Sequence, residues 1–225
     1  MSLFIDCAEY EKIRIFHEMG LVRGVTTNPT IVSQSGLNGL SDLKYATVKI
    51  CELVSPYPVC VELTSNDRDD MVDEAVKFSK WSDNIVVKVP IHGVAGEQNL
   101  EVIRMLESEL DVRVNATALM SAQQCYLASL AGASYVSLFC GRINDMGYDS
   151  CVEISKCRRL LDQSGIDSKI ICASTREVLN VVQWLGAGAH IVTLVPTLLE
   201  KMIVHPYTKE TVRQFLDDAK KLRSD

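Results

Sequence analysis

The 225-residue chain has little of what ties a protein to metals, nucleic acids, membranes or nucleotides. It holds only four histidines (17, 92, 190 and 205), none paired at ligand spacing, so no metal is expected. Basic residues are in deficit, 23 Lys+Arg against 29 Asp+Glu for a net charge of −6, and no Lys/Arg cluster offers a nucleic-acid surface. Long apolar runs are missing as well. The best stretch, Val181 to Pro196, is broken by Gln183, Gly186, Gly188 and His190, well short of the ~20 residues that span a bilayer. Met1 to Tyr10 contain no basic residue and carry Asp6 and Glu9, so no leader is expected. No G-x-G-x-x-G follows the first strand-like run and no G-x-x-x-x-G-K-[ST] occurs. Gly186-Ala187-Gly188 closes a helix, which leaves no nucleotide cofactor to expect.

Cysteine is plentiful, but its pattern is missing. The eight cysteines (7, 51, 60, 125, 140, 151, 157 and 172) include no C-x-x-C and mostly lie in apolar runs. They read as reduced core residues of a cytoplasmic protein rather than a disulfide or zinc framework. With 47% hydrophobic and 23% charged residues the composition is that of an ordinary globular chain, and the functional question moves to small-molecule chemistry.

What is present is a regular alternation. Short β-branched runs occur at Leu3–Asp6, Gly24–Thr27, Val59–Leu63, Ile85–Val89, Val112–Thr117, Tyr135–Cys140, Lys169–Ser174 and His190–Leu194. They recur about every 27 residues, the length of one strand, one helix and two short loops. Between them apolar residues fall at helical spacing, as in Met71, Val72, Ala75, Val76 and Phe78. Strict alternation of strand and helix implies parallel strands with helices outside. Eight such units without a flexible linker predict one domain over 1–225, a closed (β/α)8 TIM barrel. A further C-terminal helix over about 208–222 carries Val212, Phe215, Leu216 and Ala219, and must bury them on the barrel or on a neighbouring subunit.

Barrels of this type place their chemistry at the C-terminal ends of the strands. Reading those ends in order gives Asp6; Thr26, Thr27 and Asn28; Glu62 and Thr64; Lys88; Asn115 and Thr117; Ser137 and Arg142; Ser174 and Arg176. Lys88 is the sharpest of these. It interrupts Ile85-Val86-Val87-Lys88-Val89-Pro90, where alternation sends Val87 and Val89 to one face and Lys88 to the other. A closed barrel has no edge at which such a lysine could reach solvent. Pointing inward it loses hydration, which favours the neutral, nucleophilic amine and Schiff-base chemistry with a carbonyl substrate. Asp6 and Glu62 supply carboxylates inside apolar runs; alternatively Asp6 caps the helix that starts near Ala8 and Glu62 is a buried ion-pair partner. Arg142 and Arg176, with Ser174, suit the dianion of a sugar phosphate.

The stretches Phe4-Ile5-Asp6, Gly24-Val25-Thr26-Thr27-Asn28-Pro29-Thr30, Val61-Glu62, Val87-Lys88-Val89-Pro90, Asn115-Ala116-Thr117, Gly141-Arg142-Ile143 and Ala173-Ser174-Thr175-Arg176 resemble those of the transaldolases. The likeness is to the short bacterial branch that also includes fructose-6-phosphate aldolase. It implies a Schiff base between Lys88 and the C2 carbonyl of a ketose phosphate, with Asp6 taking the C4 hydroxyl proton as the C3–C4 bond breaks. It also implies a dihydroxyacetone unit held by Asn28, Asn115 and Ser174, within a substrate site that includes Thr27, Ser137 and Phe139. Glu62 would act through a water positioned with Thr117, and Arg142 and Arg176 would bind phosphate. The protonated imine is the electron sink, so neither metal nor cofactor is implied.

The aldolase type carries Gln where Glu62 stands and Tyr where Phe139 stands, and it lacks the Asn-x-Thr pair of Asn115 and Thr117. All three positions favour transfer of the ketol unit between sugar phosphates of the pentose-phosphate kind over its release; a non-catalytic sugar-phosphate binder is the remaining alternative. Two departures stand out: a glycine-rich loop, Ile91 to Glu97, and Thr175 where the family usually has phenylalanine. The resemblance further implies a large homo-oligomer, a pentamer or a decamer, through the C-terminal helix.

Overall fold

Each β-branched run becomes one strand, every successive pair is hydrogen-bonded in parallel, and the first strand also pairs with the last, so the sheet closes into a barrel. The computed structural model describes residues 1–223, so Ser224 and Asp225, the end of the expected domain, lie outside the described residues. The strands are β1 (Ser2–Asp6), β2 (Val22–Thr26), β3 (Val59–Glu62), β4 (Ile85–Pro90), β5 (Val114–Leu119), β6 (Tyr135–Leu138), β7 (Lys169–Cys172) and β8 (Ile191–Leu194). The helices are α1 (Tyr10–Glu18), α2 (Pro29–Gln34), α3 (Gly39–Val54), α4 (Arg68–Ser79), α5 (Leu100–Ser108), α6 (Ala122–Leu130), α7 (Cys140–Asp145), α8 (Ser150–Ser164), α9 (Val178–Gly186), α10 (Pro196–Ile203) and α11 (Pro206–Leu222). This is the expected (β/α)8 barrel with its C-terminal helix.

Strand alternation divides the core in two. Outward residues such as Val59 and Val61 on β3 and Val87 and Val89 on β4 join Phe16, Phe78, Ile103, Leu106 and Trp184 of the helices in one continuous layer. Inside, Phe4, Ile171 and Ile191, with Tyr135 against them, plug the N-terminal end of the barrel. The fit there is tight: a Cβ built on Gly24 would lie 2.5 Å from Phe4 Cζ, so β2 needs glycine opposite that ring.

Several strand ends differ from expectation. β5 runs from Val114 to Leu119 rather than from Val112 to Thr117, and Phe139–Cys140 and Ala173–Ser174 leave the sheet. Cys140 opens α7, while Ser174 takes φ +64, the left-handed region that a strand does not use. Two short helices not anticipated, α2 and α7, sit where the chain leaves β2 and β6. Asn28 caps α2 by accepting from the Ile31 amide at 2.9 Å, and Pro29 supplies the preset φ of its first turn.

α11 begins two residues earlier than expected and buries none of its residues. Tyr207, Val212, Phe215 and Leu216 all stay exposed, each forgoing about 1.5–3 kcal/mol of burial. Packing on its own barrel is therefore not what these residues do. All eight cysteines are unpaired; seven are buried and Cys151 is half-buried. Among the described residues no helix is long and apolar enough to cross a membrane.

Candidate active site

Because the strands are parallel, their C-terminal ends open together, and there a cavity of about 550 Å³ enters the barrel. Lys88 stands in its floor, 5% exposed. Its Nζ donates to Glu62 Oε2 at 2.6 Å and to the Thr27 carbonyl at 2.7 Å. Register explains the pairing: Glu62 and Lys88 are direct partners on β3 and β4, so both side chains face inward at one height. Lys88 is thus held by a carboxylate and a carbonyl rather than in an apolar slot, and Glu62 is its ion-pair partner. Glu62 thus reaches the amine directly, and Thr117 lines the same cavity.

Asp6 lines the same cavity from β1. It caps no helix: α1 starts at Tyr10 with Glu9 at its N-cap. Its Oδ1 accepts from the Thr26 hydroxyl at 2.7 Å. Burial pushes the Asp6 carboxyl above the usual aspartate range, opposed by the charge of Lys88 and the Thr26 bond. That is the direction a carboxylate needs if it is to hold a proton in passing.

Asn28, Thr117, Ser137, Phe139, Arg142, Ser174 and Arg176 line this cavity too. Asn28 spends its Oδ1 on capping α2, which leaves its amide NH2 for the cavity. The Ser137 hydroxyl donates to Asn115 Oδ1 at 2.8 Å. Asn115 Nδ2 and Thr117 Oγ1, both fully buried, find no hydrogen-bond partner among the described residues. Two buried polar atoms left so beneath one cavity are costly unless something bound there meets them. Asn115 itself lies under Ser137 instead of on the cavity wall.

Thr27 is also different from a simple wall residue. Its hydroxyl turns to the Cys60 carbonyl at 3.0 Å, its own carbonyl holds Lys88, and it borders a smaller adjacent cavity of about 330 Å³. At the rim the Arg142 guanidinium lies 5.0 Å from the centroid of the Phe139 ring, and exposed Arg176 pairs with Asp145 at 2.9 Å. Gly141 lets α7 press on the Ser174 carbonyl, where any Cβ would collide. The loop 91–97 is folded away: Glu97 ties it to Asn66 at 2.7 Å, and none of its residues lines the cavity.

The eighth strand adds a residue that reading strand ends did not yield. Thr193 lines the cavity from β8, its hydroxyl 2.6 Å from that of Thr26. It is the last inward position of Ile191-Val192-Thr193-Leu194, so alternation alone points to it. Among the described residues no group of three or more His, Cys, Asp and Glu is arranged to hold a metal ion.

Residues 3–225 match the family described as transaldolase/fructose-6-phosphate aldolase. The chain belongs to this family. Proteins named probable transaldolase are similar over nearly their full length: one from Leptospira biflexa is 35% identical over 222 residues, covering 99% of both chains. One from Streptococcus equi subsp. zooepidemicus is 37% identical over 218 residues, 97% of each chain. Another from Methanococcus maripaludis is 36% identical with the same coverage. A thiamine phosphate pyrophosphorylase from Pyrococcus furiosus shares the barrel alone, at TM-score 0.61 and 12% identity over 89% of this chain and 93% of that one. The barrel mouth described above is where this chain's polar side chains converge.

Proposed function

We propose that the protein is a transaldolase, moving a dihydroxyacetone unit from a ketose phosphate to an aldose phosphate through a Schiff base on Lys88. The observation that carries this reading is Lys88 itself: a buried amine at the barrel mouth with a carboxylate at 2.6 Å ready to accept its proton. Deprotonated by Glu62, Nζ adds to the C2 carbonyl of fructose 6-phosphate or sedoheptulose 7-phosphate. Loss of water from the carbinolamine gives a protonated imine. Asp6 removes the C4 hydroxyl proton, the C3–C4 electron pair moves into the imine, and the aldose phosphate leaves. The enamine on Lys88 then attacks the aldehyde of erythrose 4-phosphate or glyceraldehyde 3-phosphate, Asp6 returns its proton to the new alkoxide, and water releases the product.

The unmet hydroxyl of Thr117, with the amide of Asn28 and the hydroxyl of Ser174, suits the hydroxyls of the three-carbon unit and the water that hydrolyses the imine, while Asn115 holds Ser137 from beneath. Arg142 and Arg176 suit the phosphate. Transfer is favoured over release because Phe139 lines the cavity without a phenol that could protonate the enamine. A time course with fructose 6-phosphate, run with and without glyceraldehyde 3-phosphate, separates the two. Product that needs the acceptor supports transfer, while free dihydroxyacetone formed at the full turnover rate without it supports the aldolase reading. The exposed apolar residues of α11 support assembly with further copies of the chain, through a helix that buries nothing on its own barrel. Light scattering tests this, a large particle being the expected result and a 25.0 kDa one the contrary result.

A further inference from the structure

Three strands that meet at β1 place a chain of hydroxyls beneath Asp6. Thr26 is the register partner of Asp6 on β2, and Thr193 on β8 is paired with Phe4, one inward position lower on β1. Both threonines are nearly fully buried. Thr26 Oγ1 lies 2.7 Å from Asp6 Oδ1 and 2.6 Å from Thr193 Oγ1. The backbone carbonyl of Thr193 is in turn held by the Thr175 hydroxyl at 2.7 Å. Thr175, just after β7, thus ties that segment to β8 and fixes the backbone of Thr193.

Each hydroxyl has one proton to give. With Asp6 ionised, Thr26 must donate to the carboxylate, so Thr193 donates to Thr26. With Asp6 protonated, the chain runs the other way: Asp6 donates to Thr26, Thr26 donates to Thr193, and the Thr193 proton turns into the cavity that it lines. Both protonation states are then satisfied without moving a heavy atom, which an isolated buried threonine could not offer.

We propose that Thr193 is a positioning residue which, through Thr26, lets Asp6 accept and return the substrate proton during carbon–carbon cleavage and formation. The inference rests on the Schiff-base reading, since it gives Asp6 its role as base. The charged and titratable groups facing Asp6 are Lys88 on β4, Glu62 on β3 and the thiols of Cys7 and Cys60, and none of them is part of the relay.

The test is Thr193→Val, which keeps the shape and removes the hydroxyl, beside Thr193→Ser, which keeps the hydroxyl. In the valine variant Thr26 loses its acceptor whenever Asp6 carries the proton, so the protonated state is penalised. Expected are a fall in kcat of about tenfold with KM little changed, and an acid limb of the kcat profile moved to lower pH. Borohydride trapping at Lys88 with fructose 6-phosphate should persist in this variant, and Thr193→Ser should restore most of the rate. A valine variant with unaltered kcat and acid limb, or a serine variant as slow as the valine one, overturns the relay. Absence of the Lys88 adduct in the unsubstituted protein overturns the Schiff-base reading instead.

Discussion

Two residues separate the lower and upper inward positions on six strands: Phe4 from Asp6, Gly24 from Thr26, Cys60 from Glu62, Val86 from Lys88, Tyr135 from Ser137 and Ile191 from Thr193. The lower set closes the barrel with an aromatic and aliphatic plug. The upper set carries two carboxylates, an amine and three hydroxyls; Asp6, Thr26 and Thr193 form one bonded group, Glu62 and Lys88 another, at 2.6–2.7 Å, and Ser137 bonds to Asn115 below it. Side-chain period is the same in both, so backbone geometry does not distinguish them. What differs is what they face: the lower positions pack on one another, where the best content is apolar volume, whereas the upper positions line a cavity dry enough to strengthen charge pairing yet open to a substrate. Substitution below should therefore cost stability, and substitution above should cost activity.

The largest effect expected is for Lys88→Met, which removes the nucleophile: turnover should be lost while thermal unfolding stays cooperative, checked by a coupled assay and calorimetry on one preparation. Asp6→Asn should lower kcat by about 10²–10⁴-fold. The same change should hold or raise Tm near neutral pH. A carboxyl whose folded pKa is raised contributes stability below its unfolded pKa, and that stability is lost as pH rises through the folded pKa. Ionised Asp6 is then a burden that asparagine lifts, so the Tm difference should close on acidification. By the same shift, activity of the unsubstituted protein should fall with decreasing pH at a point above the ordinary aspartate range.

Below the mouth, Gly24→Ala should destabilise by about 1–3 kcal/mol through its clash with Phe4, with kcat per folded molecule nearly intact. Smallest of all, Val94→Ser in the loop 91–97 should leave kcat/KM unchanged, since the loop is tied to Asn66 and lines no part of the cavity. A clear change in substrate preference there would mean that the loop reaches the sugar.

The barrel was legible because both of its periodicities are in the sequence, two for strands and three to four for helices. Lys88 was legible because a charge inside Val86-Val87-Lys88-Val89 has no bland position in a closed sheet. α2 and α7 were not, because six-residue helices depend on local capping at Asn28 and on Gly141 fitting against the Ser174 carbonyl. Thr193 is hidden in the sequence for a different reason. Alternation points it inward, but threonine in a β-branched run looks like an ordinary strand former, and its 2.6 Å approach to Thr26 across β1 is what ties it to Asp6. The direct Glu62–Lys88 bond follows from strand register, which no single strand contains.

Incubation with fructose 6-phosphate, reduction with borohydride and peptide mass mapping test the central claim most directly. The account predicts a three-carbon adduct on Lys88 and on no other lysine, formed in step with loss of activity; an active protein in which Lys88 remains unmodified would contradict it.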